Sequence, residues 1–154
     1  LVDEWENAGT DTDASEAAAN LAAPGAKQAV VEDRRGLTVL VRNAMFRRVQ
    51  LMDLDKPDEL GALDKDWGYG VHEWEDTLDD YYDEHEYVNI DAKARSGELF
   101  ILDESKENSE HSWKVRQIID DSDGDHDWAI TGTVDLDTTQ SSGEVVFFDY
   151  SVSN

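Results

Sequence analysis

The sequence predicts an α+β domain, with about three N-terminal helices packed on a curved antiparallel sheet of about four strands. Three observations predict it. Apolar residues recur at helical spacing between residues 37 and 88. Beyond residue 98 they fall instead into short runs and alternations with the strand period of two. The segments between those runs are brief and rich in Asn, Asp, Ser and Gly, the turn chemistry that joins antiparallel neighbours.

Taken in order, residues 1–33 read as an acidic, Ala-rich linker. Leu1-Val2-Asp3-Glu4-Trp5-Glu6 resembles the last turn of a preceding helix, and the stretch that follows, closed by Pro24-Gly25, carries no sustained apolar stripe. Poor order is expected there. The chain starts at Leu1 without an initiator methionine and is expected to be cut from something longer. Residues 34–154 form the single α+β domain.

The first helix is expected from about Leu37 to Asp53, because Leu37, Leu40, Val41, Ala44, Met45 and Met52 share a face with Val49 beside them. Its other face should present Val39, Arg42, Asn43, Phe46, Arg47 and Gln50. Arg48 falls on the apolar side and needs a partner acid or an escape to solvent. A short second helix follows Lys56, with Pro57 near its first position and acids in the first turn, and ends before Gly68-Tyr69-Gly70. A third runs from about Val71 to Tyr87, with Val71, Trp74, Leu78, Tyr81, Tyr82, His85 and Val88 on one face.

Four strands are expected next. The first runs from Glu98 to Asp103 and contains Leu99-Phe100-Ile101-Leu102. The second alternates Trp113, Val115, Gln117 and Ile119 with Lys114, Arg116 and Ile118, and the third alternates Trp128, Ile130, Gly132, Val134 and Leu136 with their neighbours. The last covers Val145 to Val152. Turns are expected at Glu107-Asn108-Ser109, Ser122-Asp123-Gly124-Asp125 and Ser141-Ser142-Gly143. By analogy, a sheet folded over helices in this order suggests a cone of the nuclear transport factor 2-like kind.

Charge bounds the function. With 37 acidic and 13 basic residues the formal net charge is −24, so the chain as a whole repels free nucleic acid and anionic membrane. Cysteine is absent, which excludes disulfides, thiol catalysis and cysteine zinc sites. No apolar run approaches the roughly 20 residues of a membrane span, and a cytoplasmic location is expected. Against this background Arg34–Met52, RRGLTVLVRNAMFRRVQLM, holds five arginines and no acid. Arg42, Asn43, Phe46 and Arg47 are therefore the candidate nucleic-acid or partner contacts. Guanidinium forks match phosphate or carboxylate, Asn reads polar edges, and a phenyl ring can stack on a base or fill a pocket. The competing expectation is a scaffold helix whose arginines pair with acids of the third helix.

Tyr81, His85, His126, Asp127 and Trp128 are candidates for lining a pocket. His126 between two aspartates could act as an oriented base or a metal ligand, but adjacent residues entering a strand point to opposite faces, so a turn is the simpler expectation. His85 on an apolar stripe reads as a satisfied core residue. Asp121-Ser122-Asp123-Gly124-Asp125 has calcium-loop composition but fails the EF-hand spacing, with Ile119 and Ile130 at the end positions. No phosphate-loop, dinucleotide or nucleophile-elbow motif occurs. No catalytic residue and no metal ligand is assigned.

In order, Val41-Arg42-Asn43-Ala44-Met45-Phe46-Arg47-Arg48-Val49-Gln50-Leu51, the segment Tyr81-Tyr82-Asp83-Glu84-His85-Glu86, then Trp113-Lys114-Val115-Arg116-Gln117-Ile118-Ile119-Asp120-Asp121 and Gly124-Asp125-His126-Asp127-Trp128 resemble the C-terminal domain of unknown function of actinobacterial superfamily 2 (DEAD/DEAH-box) helicases. The likeness runs from roughly Arg34 to Val146. It implies a non-catalytic accessory domain of an ATP-dependent helicase, with ATP and Mg²⁺ belonging to motor domains outside this sequence and no cofactor of its own. It also implies as partners the motor domains of the same chain, and RNA or DNA. The alternatives are a small pocket-containing enzyme or ligand-binding domain using His126, Asp127 and Tyr81, and a purely structural cap.

Overall fold

The computed structural model describes residues 34–154. The expected linker over residues 1–33 lies outside them. The helices are α1 (Arg34–Asp53), α2 (Pro57–Asp64), which continues into a 3₁₀ turn at Lys65–Trp67, and α3 (Val71–Glu84). Then come β1 (Phe100–Asp103), a one-turn helix α4 (Glu107–Glu110), β2 (Ser112–Ile118), β3 (Ala129–Asp135), α5 (Leu136–Ser142) and β4 (Phe147–Ser153). The strands form one antiparallel sheet in the order β1-β2-β3-β4, the expected meander.

α1 buries Leu37, Val41, Met45, Val49 and Met52 against the sheet and its sister helices. Its apolar stripe is wider than the spacing suggests, because Phe46 and Leu51 are buried as well. α2 begins at Pro57, with Asp58 and Glu59 against the helix dipole. It approaches α3 so closely at Gly61 that an added Cβ would stand 2.4 Å from the Val71 amide nitrogen. α3 buries Trp74, Leu78 and Tyr81 and stops at Glu84 rather than at Tyr87. His85 is already extended, with φ −130° and ψ 150°.

Arg48 meets the acid its apolar position requires. Its Nε and Nη2 donate to Asp64 Oδ1 at 3.2 and 2.8 Å, in a site where Asp64 is fully buried. Asp64 also accepts the indole N–H groups of Trp67 and Trp74, each at 3.0 Å. Trp113 donates to Glu107 at 2.7 Å and Trp128 to Glu84 at 3.0 Å. Every tryptophan among the described residues thus gives its N–H to a carboxylate.

On the sheet, Trp113, Val115 and Gln117 of β2 point inward while Lys114 and Arg116 stay exposed. The register slips on β3 between Thr131 and Thr133, opposite a left-handed Asp149 in β4 (φ 49°). Gly132 lies at this bulge, where a Cβ would press to 3.1 Å on the rings of Phe147 and Tyr150.

Three expectations are corrected here. Gly97–Leu99 forms a 3₁₀ turn, so β1 starts at Phe100. Leu136, expected in a strand, opens α5, and Ser141 and Ser142, expected in a turn, belong to that helix. The Asp135 side chain caps α5 by accepting from the Thr138 amide and hydroxyl at 3.1 and 2.9 Å, and Gly143 closes it in the left-handed region.

Candidate functional site

The outward face of α1 holds a shallow pocket of about 200 Å³ lined by Val39, Arg42, Asn43, Phe46, Arg95 and Gln117. Three of the four contact residues expected from sequence are brought together in it. Arg95 comes from a tight turn between α3 and β1. Asp91 shapes this turn by accepting from the Ala94 and Arg95 amides, and Ala94 anchors it in the core. Arg42 donates from Nη2 to the Arg95 carbonyl at 3.0 Å, and Arg95 Nη2 donates to Asn43 Oδ1 at 3.3 Å. Each guanidinium lies over an aromatic face: Arg42 over Phe100 at 5.4 Å and Arg95 over Phe46 at 4.6 Å. Gln117 is fixed by donating to the Leu99 and Ile118 carbonyls.

The exposed Phe46 expected from the helical wheel is corrected. The ring is only 4% exposed, because its outward face is roofed by Arg95. It is the floor of the pocket and is not available to stack on a base. Arg95 escaped the sequence reading because it sits in neither a helical nor a strand period, and no local pattern ties a turn residue to a helix fifty positions earlier.

The arginines of α1 do not pair with α3, as the scaffold expectation had it. Arg34 is bonded to Glu104 and, at 2.8 Å, to Glu107, while Arg47 stands 3.8 Å from Glu59 of α2. Arg42 and Arg95 have no carboxylate partner among the described residues.

A second cluster gathers where α3 meets the loop between β2 and β3. Asp121, buried and paired through its backbone with Val88, accepts from the amides of Asp123, Asp125 and His126 at 2.9, 3.0 and 2.7 Å. Burial alone would raise its pKa, but those three bonds and the nearby His85 hold it below the usual aspartate range. The buried His85 ring bonds Asp123 Oδ2 through Nδ1 at 2.7 Å and Asp127 Oδ1 through Nε2 at 3.1 Å. Desolvation pulls this imidazole toward neutrality, yet the bonds to Asp123 and Asp127 and the charge of Asp121 outweigh it and hold the pKa above the ordinary histidine value.

His85, Asp121, Asp123 and Asp125 each place one possible ligand atom within 4.8 Å of the others. With both ring nitrogens facing carboxylates and Asp121 occupied by amides, however, the arrangement is that of an imidazolium tying a loop to a helix end. Tyr81 and Trp128 pack edge to face beside it at 5.6 Å. The Tyr81 hydroxyl donates to the Tyr87 carbonyl, and its pKa is pushed far above the ordinary tyrosine value, chiefly by burial. His126 turns away to Asp120 at 2.9 Å. Tyr81, His85, Asp127 and Trp128 are therefore neighbours, and His126 belongs to a separate pair.

An acidic α+β domain with a cationic pocket on its first helix is the class that the fold and the site define. Over residues 1–152 the sequence matches the family described as Domain of unknown function (DUF3516), and the chain belongs to that family. No curated protein and no solved structure matches it. No helix among the described residues is long and apolar enough to cross a membrane.

Proposed function

We propose that this is a non-catalytic accessory C-terminal domain of an ATP-dependent helicase-like protein, a binding module that contacts nucleic acid through the Arg42 face of α1. One observation carries the binding role: two guanidiniums, of Arg42 and Arg95, open on one pocket without a carboxylate partner among the described residues, in a chain with 37 acids. Asn43 orients Arg95, while Arg47 lies outside the pocket, 3.8 Å from Glu59. The helicase association is supported by the series of motifs given above, and a cytoplasmic location follows from it. ATP and Mg²⁺ belong to the motor.

A second reading, docking of the same face on the motor core, is favoured by the net charge of −24, which repels a strand. Binding of a labelled RNA oligonucleotide to the chain and to an Arg42→Ala/Arg47→Ala variant, followed across a salt series, separates the two. Loss of a phosphate contact should flatten the log–log salt slope by about one unit. An unchanged slope, or no binding, removes the strand reading and leaves the docking one.

A further inference from the structure

We infer that the pocket between Arg42 and Arg95 is a recognition site for a single phosphate group, carried either by a nucleic-acid strand or by a mononucleotide. This deepens the binding-module reading and rests on it.

Three features argue for phosphate. First, both guanidiniums line one pocket and each is held by one bond, Arg42 by the Arg95 carbonyl and Arg95 by the Asn43 side-chain oxygen. Each has five N–H donors, and the bonds seen here engage a single nitrogen of each. Second, both planes lie over rings, Phe100 and Phe46, which orient a planar fork but satisfy none of its donors. Two forks carrying two positive charges suit a tetrahedral anion with three or four acceptor oxygens, whereas one carboxylate fills one fork. Third, about 200 Å³ is room for a phosphate with its ester oxygens and too little for a base stacked on Phe46, whose face is already covered.

The contrast with the neighbouring cavity of about 320 Å³ sharpens this. Its basic side chains, Arg34 and His111, each face an acid, Glu107 at 2.8 Å and Asp137 at 3.0 Å. The acidic chain does not prevent local capture, because repulsion from remote carboxylates fades over a screening length of about 8 Å at physiological salt. It does disfavour a long strand lying across the surface, so recognition is confined to one phosphate.

The test is NMR titration of the arginine Nε–Hε resonances of the 154-residue chain with inorganic phosphate, a mononucleotide, a short single-stranded RNA and, at matched ionic strength, acetate. The Arg42 and Arg95 signals should move together and saturate with the phosphate probes, with acetate binding at least tenfold more weakly. Arg42→Lys and Arg95→Lys keep the charge but lose the fork, and each should weaken phosphate binding about tenfold, with circular dichroism confirming that the fold is kept. If RNA binds more tightly than the mononucleotide the source is a strand; if the mononucleotide binds as well as RNA, it is a nucleotide. No shift at millimolar phosphate, acetate binding equal to phosphate, or lysine variants that bind normally would each overturn the inference. The accessory-domain reading fails separately, if deleting this domain from the longer helicase-like protein leaves both ATP turnover and strand affinity unchanged.

Discussion

Arg42 and Arg48 sit six positions apart on one helix; each lies over a phenyl ring and donates to a backbone carbonyl, and what separates them is burial and an acid partner. Arg48 is sunk in the core against Asp64, with both indoles of Trp67 and Trp74 sharing the same carboxylate. Arg42 is exposed, rests on a phenyl ring and touches a backbone carbonyl but no acid among the described residues. Burial decides the difference. A guanidinium taken out of water must be neutralised, because an unpaired buried charge costs several kcal/mol. A solvated one is under no such demand and keeps its donors for a ligand. The same residue type is therefore structural at one turn of α1 and available for recognition at another.

The largest effect should come from breaking the buried side. Asp64→Ala strands the Arg48 charge and two indole N–H groups together, and a loss of about 3–5 kcal/mol in chemical denaturation is expected. A loss below 1 kcal/mol would mean that water reaches the pair and that the contrast with Arg42 is false. Phe46→Ala should cost about 3 kcal/mol, as for a core aromatic. A variant of unchanged stability would return Phe46 to the surface role first expected of it.

His85→Gln probes the second cluster, where the charge is also enclosed. The sign follows from a folded-state pKa raised above the ordinary histidine value. The stabilisation is fully present below the unfolded pKa of about 6.5 and is lost as pH rises through the folded value. The variant should thus be less stable than the parent by about 2 kcal/mol below pH 6.5, from its charged hydrogen bonds, and the gap should narrow at higher pH. A gap independent of pH would show that the ring is held as a neutral group. The smallest effect belongs to the exposed side. Arg42→Met should change stability by less than about 1 kcal/mol, the scale of an exposed cation–π contact, while abolishing phosphate binding. A larger loss of stability would make Arg42 a scaffold residue after all.

Much of the fold was legible because its signals are local. The stripes of α1 and α3, the alternation in β2 and β3, and the need of Arg48 for an acid all follow from spacing along one element. α5 was not legible: Leu136 continues the period of β3, and the capping Asp135 also fits a strand end, so only the αL Gly143 marked a helix terminus. The site was half legible. Arg42 and Asn43 could be placed on an outward face, but the roofing of Phe46 by Arg95 depends on a turn closing over α1 from far along the chain. The partners of His85 were hidden for the same reason. Asp123 and Asp127 lie in a loop whose geometry is set by three amides converging on Asp121, and no periodicity encodes that.

The coupling of each described tryptophan to a carboxylate turns the chain's acidity into an optical property. Emission from Trp67 and Trp74 reports on the seam between α2 and α3, that from Trp113 on α4, and that from Trp128 on the end of α3. The Glu107 carboxyl is held below the usual range, first by Trp113 and then by Arg34, so its link should survive mild acid and let go only as pH falls through that lowered value. Single-tryptophan versions of the chain, titrated with acid and followed by fluorescence, would therefore show the order in which the outer layers of the domain detach from its centre.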